Sequence, residues 1–182
     1  MMTNPIESMP TDPKRQWIQE ALDRYEGPLT RYAERFTGDL DRARDVVQET
    51  FLKLCTCDRE RVEGGLREWL FTVTRNRALD VGKKERRMKP LADGAAEAQT
   101  CTAPAPSDLM AVREDKSRLT ELLADLPPNQ QEVLRLKFQE GMSYKEISAI
   151  TKHTISNVGY LIHVGVKSLR HKMKVQPGFS RD

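Results

Sequence analysis

Three side chains in DVVQETFLKL (45–54) are spaced for recognition chemistry: Asp45, Gln48 and Glu49 fall on one side of any helix that carries them. Carboxylates at that spacing suit a partner helix bearing arginines, because charge-assisted pairs fix register. They also suit plain solvation of a surface helix, the reading that these residues alone favour. A second group is cationic. Lys83-Lys84 and Arg86-Arg87 close a long apolar-periodic stretch, where they either follow a polyanion or complement the end of a helix dipole. A third group lies near the C-terminus, where Ser156, Asn157, Tyr160 and Val164 fall on the side of a helix away from its apolar stripe. Side chains of that kind reach base edges or phosphates.

Motifs for bond-making chemistry are missing from the sequence. It holds no GxxxxGK[ST], GxSxG or HExxH. Cys55 and Cys57 are separated by one residue and no second pair follows, and His153, His163 and His171 are scattered, so no metal site and no cofactor is expected. The expectation is a binding protein and not an enzyme. Three cysteines fit a reducing cytosol better than a disulfide framework. The first residues lack the apolar core of a secretory signal, and no run of about eighteen apolar residues exists, so a cytoplasmic chain with no membrane insertion is expected.

Charge is distributed in blocks. Residues 14–89 carry 18 Lys/Arg against 14 Asp/Glu and residues 117–182 carry 10 against 6, so both blocks are basic, while 90–112 is acidic with three carboxylates and no cation. Two basic blocks suggest two contacts with one polyanion, although ordinary solvated surface has the same composition. The segment KPLADGAAEAQTCTAPAPSD (89–108) is rich in Ala, Pro and Gly and holds no large apolar residue after Leu91, so it reads as a flexible linker. Twenty residues of coil span roughly 25 Å.

The elements that must position these groups are helices. Asp12-Pro13 predicts an N-cap and first helical residue, and Gly27-Pro28 predicts a break near Tyr25. A second helix is expected from Pro28 to Thr37, with Gly38 as its stop. Asp39 caps a third, about 40–55, with the stripe Leu40, Ala43, Val47, Phe51 and Leu54. Residues 56–65 read as a polar loop. A long helix, about 66–87, buries Leu66, Trp69, Leu70 and Val73. Trp69 has the size to wedge against a base, but this spacing assigns it to the core.

Past the linker, a helix from about Leu109 ends at Leu126 before Pro127-Pro128. The next starts at Asn129 and closes at Gly141. Ser143 and Glu146 form a capping box for a short helix, 144–150. A tight turn follows at 151–153, and Thr154 caps a last helix to about Met173. Val158, Ile162, Gly165 and Leu169, spaced 4, 3 and 4, face the core. A short helix, tight turn and longer helix compose a helix-turn-helix candidate. The fold class is therefore all-α, with two small helical domains: 12–88, then a linker over 89–111, then 112–174.

Taken together, DVVQETFLKL with LREWLFTVTRNRALD (66–80) resembles region 2 of the sigma-70 family of transcription initiation factors. LPPNQQEVLRLKFQEGMSYKEISAI (126–150) and its following helix resemble region 4 of the same family. The short length and absent middle domain look like the extracytoplasmic-function (ECF) group. The resemblance implies a promoter-specificity subunit of RNA polymerase. Asp45, Gln48, Glu49 and Leu52 would dock on the clamp helices of the largest polymerase subunit, and the region 4 domain would meet the flap of the second largest. Arg75, Asn76, Arg77, Asp80, Lys83 and Lys84 match the helix that melts and holds the −10 element of promoter DNA, with 58–65 as its specificity loop. Lys152, Thr154, Ser156, Asn157, Tyr160, His163 and Lys167 would lie near the −35 element, with Arg170 as a further phosphate contact. Lys152 stands where many relatives carry glycine, and Gly159-Tyr160-Leu161 where many carry cations, which implies an unusual −35 preference. An anti-sigma factor is expected as a partner. The alternative is a free-standing helix-turn-helix transcriptional regulator whose first block senses a ligand or dimerises.

Overall fold

The computed structural model describes residues 12–88 and 119–175. The expected linker, the start of the helix expected from Leu109 and the side chains of Arg86 and Arg87 lie outside the described residues. Every element among those described is helical, and the chain forms two compact units.

The first unit opens with α1, Pro13–Thr37, whose N-cap Asp12 accepts a bond from the Lys14 amide at 3.0 Å. The break expected at Gly27-Pro28 does not occur, because α1 runs straight through Pro28. An internal proline removes one backbone bond and crowds the carbonyl four residues earlier, at about 3 kcal/mol. Here Trp17 and Ala21 before it and Leu29, Tyr32, Ala33 and Thr37 after it are all buried on one stripe. Burying several such side chains, each worth about 1.5–3 kcal/mol when large, outweighs the proline. Gly38 ends α1 at φ 67°, donating to Glu34 O at 2.7 Å. The helix α2, Leu40–Thr56, starts at once on Asp39, which accepts from the Arg42 amide at 2.9 Å. Its buried stripe is Ala43, Val46, Val47, Thr50, Phe51 and Leu54, while Leu40 is only half-buried.

The expected polar loop is mostly helical. Asp58 caps a single turn, α3 (Arg59–Val62), and a 3-10 turn, Glu63–Gly65, leads into the next helix. Arg59 pairs with Glu63 at 2.6 Å and lies over the Trp17 ring at 5.5 Å, and Val62 is buried. The cause lies in α1, beyond the reach of local sequence rules. The long helix α4, Leu66–Met88, buries Leu70, Phe71, Thr74 and Ala78. Of the expected set only Leu70 is fully buried; Leu66, Trp69 and Val73 are half-buried. Two cross-helix contacts set that rotation: Phe71 packs on Tyr32 with ring centres 5.2 Å apart, and the Thr74 hydroxyl bonds the Thr50 hydroxyl at 3.2 Å. Helices α1, α2 and α4 thus form a bundle with α3 at one end.

The second unit begins, among described residues, with helical residues 119–124, here α5. Leu122, Leu123 and Leu126 are buried and Leu119 is exposed. The next helix, α6 (Pro128–Phe138), starts one residue before the expected Asn129, with Pro128 at its first position. Gln131 donates to the carbonyls of Ala124 and Leu126 at 3.0 and 2.7 Å, closing the end of α5. The capping box holds α7, Tyr144–Thr151: the Ser143 amide donates to Glu146 Oε2 at 2.8 Å and the Glu146 amide to Ser143 Oγ at 3.2 Å. Lys152 turns the chain at φ 64°, a left-handed conformation that glycine adopts with less strain. Ser148 Oγ donates to His153 O at 2.6 Å across this turn.

The last helix, α8, spans Ile155–Val175, and Thr154 Oγ1 accepts from the Asn157 amide at 3.2 Å. Val158, Ile162 and Gly165 are buried and Leu169 is half-buried. Gly165 permits close approach of α6, since a Cβ there would lie 2.9 Å from Leu134 Cδ1.

Candidate nucleic-acid interface and docking face

On α2 the acidic motif points away from the bundle, opposite Val47 and Leu54. Asp45 and Gln48 are exposed, and Leu52 is 67% exposed. The four predicted residues divide by what lies beside them. Gln48 and Leu52 border a groove of about 390 Å³ between α1 and α2, whose apolar lining includes Ile18, Leu22, Val47 and Phe51. Glu49 leans the other way, toward α4. Arg77 Nη2 donates to Glu49 Oε1 at 2.8 Å, and Nε lies 2.5 Å from Oε2 in an ion-pair contact without hydrogen-bond geometry. The Arg77 hydrogen bond holds the Glu49 carboxyl below the usual carboxylate range, and the same bond raises Arg77.

On α4 the 3.6-residue repeat gathers Asn76, Arg77, Asp80, Lys83 and Lys84 on one side of the helix. Asn76, Asp80, Lys83 and Lys84 are exposed, and Arg77 marks the boundary with the buried stripe. Arg75 stands apart from them, half-buried on the opposite flank of that stripe. Trp69 is half-buried on the first turns of the same helix.

On α8 the outer face opposite Val158, Ile162 and Gly165 is a single stripe: Ser156, Tyr160, His163, Lys167 and Arg170, all exposed, with Tyr160 64% exposed. It is uncharged over its first turns and cationic beyond. Asn157 is half-buried at one flank, while Lys152 and Thr154 are exposed in the preceding turn. Lys172, on another side, binds Asp125 at 2.8 Å and ties the end of α8 to the turn after α5. One residue missed by the sequence reading is Ile155, 53% exposed at the first position of α8. Its signal was an apolar residue outside the 158/162/165/169 repeat. Phe138, expected inside with Val133, Leu134 and Leu136, is instead 67% exposed at the last position of α6.

A bundle with an outward acidic motif and a basic helix, joined in one chain to a helix-turn-helix unit with a polar outer stripe, defines a two-part helical DNA-binding protein. Comparison with known proteins makes the class specific. Residues 21–88 match Sigma-70 region 2, and residues 116–169 match Sigma-70, region 4. The ECF RNA polymerase sigma factor SigL of Mycobacterium tuberculosis is 30% identical over 157 residues, 84% of this chain and 86% of that protein. The ECF sigma factor SigM of Bacillus subtilis is 28% identical over 143 residues, 77% of this chain and 85% of that one. The fold is shared with the sigma factor RpoE of Bartonella quintana, solved with the anti-sigma factor NepR, at a TM-score of 0.64 and 23% identity, covering 88% of this chain and 99% of that one. The chain belongs to the ECF group of sigma-70 factors, which are transcription initiation factors. No helix among the described residues is long and apolar enough to cross a membrane.

Proposed function

We propose that this ECF sigma factor docks on core RNA polymerase through the outer face of α2, holds the opened −10 element along α4, and reads the −35 element with α8. The domain assignment is residues 12–88 for docking and −10 melting, 89–111 as the linker, and 112–174 for −35 recognition. The reading rests on one observation: in a chain that matches both sigma regions, the motif residues Gln48 and Leu52 border an apolar groove and Asp45 is exposed on the same outer side of α2. An exposed leucine flanked by a carboxylate and an amide is the pattern of an anchor with register-setting polar neighbours. Burying such a side chain at an interface contributes about 1.5–3 kcal/mol.

The chain itself carries out no bond chemistry. Its interactions favour the opened state of DNA: exposed Asn76 and Asp80 offer polar contacts for an unstacked base, and Lys83 and Lys84 follow the phosphates. On α8, Ser156, Asn157 and Tyr160 lie where base edges are read, while His163, Lys167 and Arg170 continue along the backbone. A partner of RNA polymerase would act in the cytoplasm, which supports that location for this chain. A sigma factor of the same fold was solved with an anti-sigma factor, which supports an anti-sigma partner here.

Run-off transcription with purified bacterial core polymerase on genomic fragments tests the reading, with defined start sites as the expected result. In pull-down, Asp45→Arg with Leu52→Ala should abolish capture of core polymerase. Failure of the wild-type chain to capture core polymerase, with no initiation at any site, would instead favour a free-standing helix-turn-helix regulator, while capture retained by the variant would move docking off this face.

A further inference from the structure

A single helical turn does not hold its shape alone, yet α3 and the 3-10 turn after it are fixed on one side. Arg59 donates to Glu63 Oε1 from Nε at 3.1 Å and from Nη2 at 2.6 Å, which ties the two ends of the turn together. The same guanidinium lies over the Trp17 ring, 5.5 Å from its centre, where the π face attracts a cation. Val62, in the same turn, is buried. Trp17 stands near the start of α1 and precedes residues 21–88, the part of the chain that matches Sigma-70 region 2. The clamp therefore ties the turn to a stretch of α1 outside that match.

The other side of the turn is open. Glu60, Arg61, Gly64 and Gly65 are exposed, and a Cβ on either glycine would meet nothing within 4 Å. Neither glycine adopts a left-handed backbone, so the turn itself does not require them. They leave bare peptide on which a flat ring can lie, in a segment whose Glu60 carboxylate and Arg61 guanidinium are suited to bond its edge.

We propose that Arg59 is a positioning residue: held between Glu63 and Trp17, it keeps residues 58–65 in one shape, and that shape sets which base of the opened −10 element the segment accepts. This rests on the proposed sigma-factor reading, in which 58–65 is the specificity loop, and it gives Trp17 of α1 a part in −10 preference. A preformed turn spends little ordering entropy when the base arrives. It also resists reshaping around a wrong one, which is where discrimination comes from.

The test uses the full-length chain with core polymerase and a promoter identified by run-off transcription, together with versions carrying each other base at each −10 position. Preference is the ratio of single-round run-off yields on matched and substituted promoters. Arg59→Met keeps the stem and removes the guanidinium; Trp17→Leu keeps an apolar side chain and removes the ring. Each should leave polymerase affinity within about twofold and cut the −10 preference by roughly fivefold, near the lower end of what one mismatched base costs. Trp17→Phe retains a π face and should keep most of the preference. The double variant R59M/W17L should lose no more than either single change, because both act through one contact. A merely structural role would lower yields on matched and substituted promoters alike, with a lower thermal melt by circular dichroism and an unchanged ratio; that result would overturn the proposal. Preference lost in Arg59→Met but kept in Trp17→Leu would put Arg59 on the base itself and overturn it as well, as would additive losses in the double variant. Glu63→Gln loosens the other side of the clamp without touching the core, and it decides the case should Trp17→Leu fail to fold: the same loss supports the proposal and an unchanged ratio overturns it. A wild-type chain that neither captures polymerase nor initiates would fail at an earlier step, overturning the sigma-factor reading together with this assignment.

Discussion

At the scale of single residues, two glycines on α8 have opposite roles despite identical chemistry. A Cβ at Gly159 would meet only the Tyr144 ring, at 3.6 Å, an ordinary contact distance, whereas one at Gly165 would lie 2.9 Å from Leu134 Cδ1 and 3.3 Å from its Cγ. Gly159→Ala should therefore raise stability by about 0.5–1 kcal/mol, the helix-propensity difference. Gly165→Ala should lower it by about 1 kcal/mol net, because overpacking exceeds the same gain. Urea titration followed by far-UV circular dichroism reads both changes; tryptophan fluorescence would not, since both tryptophans, Trp17 and Trp69, lie in the first unit. Glu49 supplies a prediction in pH. Its carboxyl is held below the ordinary range by Arg77, so the unfolded chain binds this proton more tightly than the folded one. The bridge's contribution is complete above the unfolded carboxylate value, near about 4.3, and disappears as pH falls through the lower folded value. Arg77→Gln should then cost about 0.2–1 kcal/mol at neutral pH, as exposed pairs do. That difference should shrink toward zero in strong acid, read by tryptophan fluorescence in urea.

At the scale of elements, α1 shows a local rule overruled by packing. Pro28 stands where the sequence predicts two helices, and one helix of 25 residues forms. Pro28→Ala should restore a backbone bond and stabilise the first unit by about 1–3 kcal/mol, less whatever the half-buried ring contributes to packing; the tryptophan-monitored urea midpoint measures it. A fall in that midpoint would mean that the ring, and not the missing bond, decides the balance. The same contrast explains which elements were legible in the sequence. The caps at Asp12, Asp39, Ser143 and Thr154 depend on neighbours within three residues, and all four form as expected. The α8 face was legible because a 4, 3, 4 repeat admits one helical phase, although Leu169 at its end is only half-buried. The short α3 was not, because it leans on Trp17 through Arg59. The rotation of α4 depends on Tyr32 and Thr50, which no pattern within α4 records. The Glu49–Arg77 ion pair was hidden for the same reason: in a chain with 31% charged residues, opposite charges 28 positions apart carry no signal until the fold sets them side by side.

At the scale of the whole molecule the question is how two mildly basic units hold promoter DNA. Neither 18 cations against 14 anions in residues 14–89 nor 10 against 6 in 117–182 makes a strong field, so affinity must come from particular cations set against phosphates and multiplied by polymerase contacts. Each phosphate neutralised releases counterions, so log K falls with log salt at a slope of about −0.9 per contact. This separates the two halves of the α8 stripe. Lys167, exposed on the cationic turns, should act on phosphate: Lys167→Ala should weaken holoenzyme binding to every promoter alike and make the salt slope shallower by about one. Tyr160, 64% exposed on the uncharged turns, should act on bases: Tyr160→Ala should leave the slope unchanged and reduce discrimination among −35 sequences. Filter binding of the holoenzyme across a salt series, with matched and scrambled −35 elements, measures slope and discrimination together. If Tyr160→Ala altered the slope and Lys167→Ala the discrimination, α8 would have to lie on DNA in the opposite sense, with its C-terminal turns at the bases. The first turns of α8, held by Thr154 and by the bond from Ser148 to His153, are the better-fixed end, and base edges require the tighter placement.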